Sequence, residues 1–114
     1  MVYQLEPWVI DLKSDDEWER ILAEDRVVVY KHSPICGLSL RALPQISRFE
    51  EQWPDVPVYK VNVVRRRKLS GRIAEDLGLR HESPQVIVLN GGEPVWHASH
   101  YDVTAEGLAA AMPG

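Results

Sequence analysis

The chain has 114 residues, of which 45% are hydrophobic and 26% are charged, an ordinary composition for one globular domain. Its formal net charge of −4 makes nucleic acid an unpromising partner. Residues 1–6 lack the basic and apolar regions of a secretion signal, and the longest apolar runs, 27–30 and 86–89, are too short to span a membrane. We therefore expect a single domain, residues 1–114, in the cytoplasm and away from membranes.

The first third of the chain predicts a strand, a helix and a second strand. Residues 8–10 are apolar enough for a short edge strand. Ser14 and Glu17 have the spacing of a helix capping box. The apolar residues that follow share one helix face: Trp18, Ile21 and Leu22. Residues 27–30 are β-branched or aromatic, which favours a strand buried on both faces, and residues 31–35 are predicted to form a polar loop.

The middle of the chain predicts two helices around a strand. One helix should begin near Cys36 and be kinked at Pro44. Its apolar stripe consists of Ala42, Leu43, Ile46, Phe49 and Trp53. Residues 58–63 alternate like a strand, so the two strands and the helix between them form a parallel βαβ unit. A third helix is predicted over residues 69–77, with Gly78 as its stop signal.

The last third of the chain predicts a hairpin and a helix. Strands over residues 85–89 and 94–99 are joined through 90–92, where Asn-Gly is a strong hairpin signal. Thr104 is a suitable cap for a final helix ending near Met112. The resulting element order, β-α-β-α-β-α-β-β-α, is that of thioredoxin. It predicts an α/β fold of three layers, with a mixed sheet of four or five strands between helices.

Cys36 is the only cysteine, so it forms no internal disulfide, and this suits the reducing cytosol. It opens the second predicted helix, where unpaired N–H groups and the helix dipole favour a thiolate; we therefore expect Cys36 to be catalytic. Lys31 and His32 lie just upstream and could add positive charge, with a solvated loop histidine as the alternative for His32. Ser39 could hydrogen-bond the sulfur or be an ordinary residue of the first helical turn. The competing interpretation is an inert buried cysteine, against which the preceding polar residues argue.

The dipeptide Ser83-Pro84 comes directly before a predicted strand. It has the position of a loop-to-strand boundary. On spacing alone a trans bond is favoured, because only about 5–6% of X–Pro bonds in folded proteins are cis.

Three stretches resemble the monothiol bacilliredoxin family, which is linked to the small thiol bacillithiol. They are residues 31–39 (KHSPICGLS), 73–85 and 96–100, and with the elements between them the match covers nearly the whole chain. The resemblance implies a thioredoxin fold, Cys36 as the active cysteine, and a cis bond before Pro84 that brings the backbone of Ser83 to the bound compound. This chain departs from the family by reading Cys-Gly-Leu-Ser where Cys-Pro-Ile-Ser is common, which loosens the helix start.

The resemblance also implies a reaction. A Cys36 thiolate would attack a mixed disulfide between a protein cysteine and a small thiol, with bacillithiol as that thiol and no bound cofactor. The expected partners are therefore S-thiolated cytosolic proteins and a low-molecular-weight thiol. Ser39 stands where a dithiol enzyme has its resolving cysteine, so release needs a second thiol from elsewhere.

Two other functions stay open on the sequence. The stretch Cys36-Gly37-Leu38-Ser39 differs by one residue from the Cys-Gly-Phe-Ser of monothiol glutaredoxins, which hold a 2Fe–2S cluster between two chains. The second alternative is a thioredoxin-like binding module without turnover.

The histidines and one basic run give weaker indications of function. Histidines at positions 32, 81, 97 and 100 have poor spacing for a zinc site with Cys36, so no metal is expected. The basic run 65–68 is most simply a solvated face, and its alternative role is to bind the carboxylates of an acidic thiol or partner.

Overall fold

The structure is a computed structural model and describes residues 9–112. The strands are β1 Val9–Asp11, β2 Arg26–His32, β3 Val58–Asn62, β4 Gln85–Asn90 and β5 Glu93–Ser99. The helices are α1 Asp15–Ile21, α2 Gly37–Gln52, α3 Arg67–Leu77 and α4 Ala105–Ala110, with a 3-10 turn at His100–Asp102 before α4. This order confirms the predicted one, although residue 8 of the predicted first strand lies outside the described residues.

The five strands form one mixed sheet in the order β1-β3-β2-β4-β5. Strands β1, β3 and β2 run parallel, which confirms the predicted βαβ unit of β2, α2 and β3. Strand β4 is antiparallel to β2 and forms a hairpin with β5. Strand β2 lies at the centre of the sheet. The residues that follow its last residue, His32, therefore lie at the middle of the sheet edge formed by the strand ends.

Alternation along β2 sends successive side chains into two separate cores. Val28 and Tyr30 pack in a cluster with residues of α2 and α4. Val27 and Val29 pack on the opposite face with residues of α1 and α3. The three predicted layers, helices on both faces of the sheet, are therefore confirmed. No helix within residues 9–112 has the length and apolar character needed to cross a membrane.

Helix α2 carries the predicted apolar stripe and continues through Pro44. Three residues of the stripe are buried: Ala42, Ile46 and Phe49. Leu43 and Trp53 are partly buried against the same cluster. This packing fixes the direction of α2 and hence the position of its first turn.

The predicted helix caps are present. The Ser14 hydroxyl accepts the N–H of Glu17 at 3.2 Å, and the Glu17 carboxylate accepts the N–H of Lys13, one residue earlier than in a regular capping box. Gly78 ends α3 in the left-handed conformation with φ 65°. The Thr104 hydroxyl accepts the N–H of Gly107 at 3.0 Å, and α4 ends two residues before the predicted Met112.

The hairpin turn is centred one residue later than the Asn-Gly signal suggested. Asn90 pairs with Glu93, so the turn residues are Gly91 and Gly92, with φ 59° and 83°. Both values lie where glycine is favoured. A Cβ on Gly92 would stand 2.7 Å from the carbonyl oxygen of Leu22, so this turn also packs closely on the end of α1.

The structure corrects the prediction of a polar loop at residues 31–35. Lys31 and His32 are the last residues of β2, and both are buried. They are held there because partners exist on both sides: His32 pairs with Asn62 of β3, and Lys31 pairs with Gln85 of β4. The loop is therefore reduced to the turn from Ser33 to Cys36.

Candidate active site

Cys36 lies at the centre of the sheet edge where β2 ends. A tight turn leads to it, closed by the N–H of Cys36 donating to the carbonyl of Ser33 at 3.2 Å. Cys36 is the N-cap residue of α2, with extended backbone angles and a partly exposed side chain. Its neighbour Ile35 is 84% exposed, so a large apolar side chain stands in solvent beside the thiol.

The first turn of α2 lowers the pKa of Cys36 below its ordinary value. The largest contribution comes from the N–H of Ser39, with smaller ones from the N–H of Leu38 and the Ser39 hydroxyl, while burial acts in the opposite direction. The neutral thiol makes no capping hydrogen bond, so these donors act chiefly on the charged form. The predicted start of a helix at Cys36 is confirmed.

Ser39 is fully buried and its hydroxyl is held in one orientation. Its oxygen accepts the N–H of Ser33 at 3.1 Å, which occupies one lone pair. The hydroxyl hydrogen is therefore available to donate to the Cys36 sulfur. This agrees with the hydrogen bond of the Ser39 side chain that lowers the pKa of Cys36. Ser39 therefore couples the turn before the cysteine to the sulfur itself.

A second hydrogen-bond chain supports the same helical turn. The Tyr30 hydroxyl donates to the carbonyl of Ser39 at 3.0 Å and lies 2.9 Å from Nδ1 of His32. A carbonyl only accepts, so the single Tyr30 hydrogen goes to Ser39, and Nδ1 of His32 carries the hydrogen donated to Tyr30. Burial, and next the charge on Cys36, raise the pKa of Tyr30, which therefore stays protonated as this chain requires.

The position of His32 corrects its expected role. Burial, followed by the charge on Lys60, lowers the pKa of His32 to about 4, so the ring is neutral at physiological pH. It adds no positive charge beside Cys36. Its role in the structure is to orient Tyr30, for which the sequence predicts only a place in a buried strand.

The position of Lys31 corrects a second expectation. Lys31 alternates with His32 along β2, so its side chain enters the opposite core, on the α3 side of the sheet. There its Nζ donates to the Ser70 carbonyl and to Nδ1 of His81, each at 3.1 Å. The lysine is not among the groups that shift the pKa of Cys36.

Ser83 and Pro84 lie at the same sheet edge as Cys36, and the bond between them is cis, which confirms the expectation drawn from the family resemblance. Because Gln85 pairs with Lys31, the preceding Pro84 stands beside His32 at the end of β2. Pro84 is buried, and its carbonyl accepts the N–H of His100 at 2.9 Å.

A small groove on the α2 side was not found from the sequence. The side chains that line it come from the start of α2 and the turn before α4: Leu38, Arg41, Ala42, Gln45, His100, Tyr101, Val103 and Thr104. The Arg41 guanidinium lies over the Tyr101 ring, 4.9 Å from its centroid. His100 has φ 56°, unusual for a residue with a side chain, and no local sequence pattern indicated it.

Within residues 9–112, no three residues of the histidine, cysteine and acidic types come together as a metal site. Of the four histidines considered for zinc, His32 is buried in β2, and His81, His97 and His100 are exposed.

Together these features make one partly exposed thiol, activated by the first turn of a helix at the edge of a thioredoxin-type sheet. This combination defines the class of thioredoxin-fold thiol oxidoreductases. The model of the family "Monothiol bacilliredoxin BrxC" matches residues 10–108. The chain belongs to the monothiol bacilliredoxin family.

Solved structures agree with this assignment. A protein described as a proposed oxidoreductase with a thioredoxin fold is 36% identical, with a TM-score of 0.85 over 90% of this chain and 92% of that one. Thioredoxin from Trypanosoma brucei brucei is 18% identical, with a TM-score of 0.71 over 90% and 84% of the two chains. Mitochondrial thioredoxin 3 from Saccharomyces cerevisiae is 14% identical, with a TM-score of 0.74 over 90% and 91%. The last two support the fold alone.

Proposed function

We propose that this protein reduces mixed disulfides between protein cysteines and a low-molecular-weight thiol, and that the small thiol is bacillithiol. The observation that carries the proposal is the state of Cys36, a partly exposed thiol whose pKa is lowered by the helix start. Membership of the bacilliredoxin family supports bacillithiol as the small thiol.

The reaction is a thiol–disulfide exchange that begins with the Cys36 thiolate. Its sulfur attacks the small-thiol sulfur of the mixed disulfide, a new S–S bond forms, and the old S–S bond breaks. The target protein leaves as a thiolate and takes up a proton, and the disulfide is transferred to Cys36, which is oxidised as the target cysteine is reduced. The N–H and O–H donors of Ser39 stabilise the attacking thiolate before this step.

The second half of the cycle needs a thiol from outside this chain. Ser39 occupies the position of a resolving thiol, but a hydroxyl does not attack a disulfide, and its oxygen already accepts the N–H of Ser33. An external thiolate therefore attacks the Cys36 mixed disulfide and leaves with the small thiol as a new disulfide. Cys36 returns as the thiolate.

The site and its compartment are part of the same proposal. The exposed Ile35 would contact the target protein, and the backbone of Ser83 would pair with the bound compound at the edge shared with Cys36. We place the reaction in the cytoplasm, where the reducing thiol pool returns Cys36 to the thiol form.

The test is to trap the intermediate. The protein is expressed in a bacterial host that makes bacillithiol, exposed to an oxidant and purified without reductant, and its intact mass is measured. We expect the mass of one bacillithiol on Cys36, removed by a reducing agent and missing from Cys36→Ser. Recovery of the unmodified thiol alone after oxidant treatment would contradict the proposal.

A further inference from the structure

A second polar cluster lies on the α3 side of the sheet, opposite the helix that carries Cys36. A shallow, open cavity of about 530 Å³ is found there between the β3–α3 connection and the loop before β4. Its lining residues are Val63, Val64, Arg67, Ser70, Gly71 and His81. The proposed reaction does not use this cavity, and of its lining only Arg67 belongs to the basic run for which anion binding was an alternative role.

A buried cation lies directly behind the cavity. Lys31 is fully buried and donates to two groups of the lining, the Ser70 carbonyl and Nδ1 of His81. Both acceptors are neutral, and within residues 9–112 no carboxylate acts on the pKa of Lys31, which burial lowers to about 8. Buried charges in proteins are usually paired, so this ammonium leaves an excess of positive potential at the cavity floor.

The His81 side chain supplies a hydrogen-bond donor to the lining. Nδ1 of His81 contacts both Lys31 Nζ and the Ser70 hydroxyl at 3.1 Å, so a neutral ring carries its hydrogen on Nε2, on the other side of the ring. Burial, and then the charge on Lys31, lower the pKa of His81 and keep that form at neutral pH. The Glu82 carboxylate acts in the opposite direction and raises the pKa of His81. The pKa of Glu82 itself is lowered chiefly by a hydrogen bond with the Ser99 side chain.

The charges at the start of α3 point to the same ligand chemistry. Arg67 and Lys68 occupy the first turn of this eleven-residue helix, after Arg65 and Arg66, and the turn has no acidic residue. Cations at the positive end of a helix are unfavourable, and the first N–H groups there are without helical partners. An anion beside this turn would offset both costs.

We propose that the cavity is a binding site for one anionic group, a carboxylate or a phosphate, held by the Arg67 guanidinium and the Nε2 hydrogen of His81 with Lys31 behind them. The site is also near the cysteine. Val63 of the lining donates its N–H to the carbonyl of His32, and the turn from Ser33 to Cys36 follows at once. The two sites are thus neighbours along the chain, and the anion is either free or part of a small thiol bound at Cys36.

The test uses inorganic phosphate as the probe and the Cys36→Ser protein, so the result does not depend on any thiol reaction. Phosphate is titrated at fixed pH and ionic strength while the ring resonances of His81 are followed by NMR. We expect saturable shifts at His81, and about tenfold weaker binding in Arg67→Gln, from the loss of one charge-assisted hydrogen bond. Lys68→Gln is the matched control, because it removes the same charge from the same turn but does not line the cavity.

Two results would overturn the anion site. One is a His81 ring that does not respond to phosphate. The other is an equal loss of binding in Arg67→Gln and Lys68→Gln, which would show only a general attraction to the basic run.

A second arm separates the two sources of the anion. Wild-type protein is linked through Cys36 to glutathione, a thiol with two carboxylates, or to its diethyl ester, which lacks both carboxylate charges, and the phosphate titration is repeated. Competition by linked glutathione but not by its ester assigns the site to the small thiol, whereas unchanged phosphate binding in both assigns it to a free anion. Both results depend on measurable phosphate binding at the cavity, which the first arm tests.

Discussion

Replacing Ser39 by alanine tests how the first turn of α2 activates Cys36. The hydroxyl of Ser39 is one of the groups that lower the pKa of Cys36, and the N–H of Ser39, the largest contributor, is unaffected by the change. Ser39→Ala should therefore raise the pKa of Cys36 without returning it to the free-cysteine value.

The size of the effect follows from one lost hydrogen bond to a charged sulfur. Such a bond contributes about 1.5–3 kcal/mol, and the partial exposure of Cys36 favours the lower end because solvent screens the interaction. The ratio of thiolate to thiol, at a pH below the pKa, should then fall by at most about tenfold, since the hydroxyl is the smallest of the contributions. The change also leaves the buried N–H of Ser33 without its acceptor, which should lower the free energy of unfolding by about 1–3 kcal/mol.

The assay is the ultraviolet absorbance of the thiolate, followed against pH and checked by the rate of alkylation. Ser47→Ala is the control, since Ser47 is a buried serine of the same helix that does not act on Cys36. It should leave the titration of Cys36 unchanged. Identical titration curves for wild type and Ser39→Ala would refute the role given to the hydroxyl.

Three further changes test other parts of the structure. His32 has its pKa lowered from 6.5 to about 4, so the unfolded chain binds more protons between these values, and stability should fall on acidification with a slope of up to about 1.4 kcal/mol per pH unit. Urea unfolding should show this slope reduced in His32→Gln; an equal slope would contradict the burial argument. Lys31→Met should leave the thiolate titration of Cys36 unchanged, since Lys31 bonds on the opposite side of the sheet; a raised pKa of Cys36 would contradict this. Gly92→Ala should be less stable than Gly91→Ala by about 1–3 kcal/mol in thermal unfolding, because only Gly92 would place a Cβ 2.7 Å from a carbonyl oxygen; equal losses would contradict the close approach.

The fold was predictable because its signals are local and repeated. The apolar run of β2, the stripe of α2 and the caps at Ser14, Gly78 and Thr104 each specify an element independently of the others. The order of the elements then allowed few sheet topologies. The parallel βαβ unit followed from the helix-length connection between β2 and β3.

The end of β2 was not predictable, and the reason is tertiary. Lys31 and His32 are polar, and polar residues after an apolar run usually indicate a loop. They are strand residues here because β3 and β4 extend alongside them and supply ladder partners from distant parts of the chain. Acceptors for the buried Lys31 come from Ser70 and His81, which no local pattern reveals.

The cysteine was found from the sequence, but its surroundings were only partly found. A lone thiol at a predicted helix start is a local signal, and Ser39 follows from spacing within one turn. Tyr30 was missed because an aromatic side chain in an apolar run predicts packing and says nothing of where its hydroxyl bonds. The cis bond before Pro84 was expected only from the family resemblance, since spacing alone favoured trans.

The most direct test of the account is a single-turnover transfer between two proteins. Reduced wild-type protein is mixed in equal amount with a target protein whose only cysteine carries bacillithiol, and both intact masses are measured over time. The account predicts that the mass of bacillithiol moves to Cys36 while the target becomes a free thiol, with no transfer to Cys36→Ser. Bacillithiol that stays on the target, or a stable disulfide between Cys36 and the target cysteine, would contradict it.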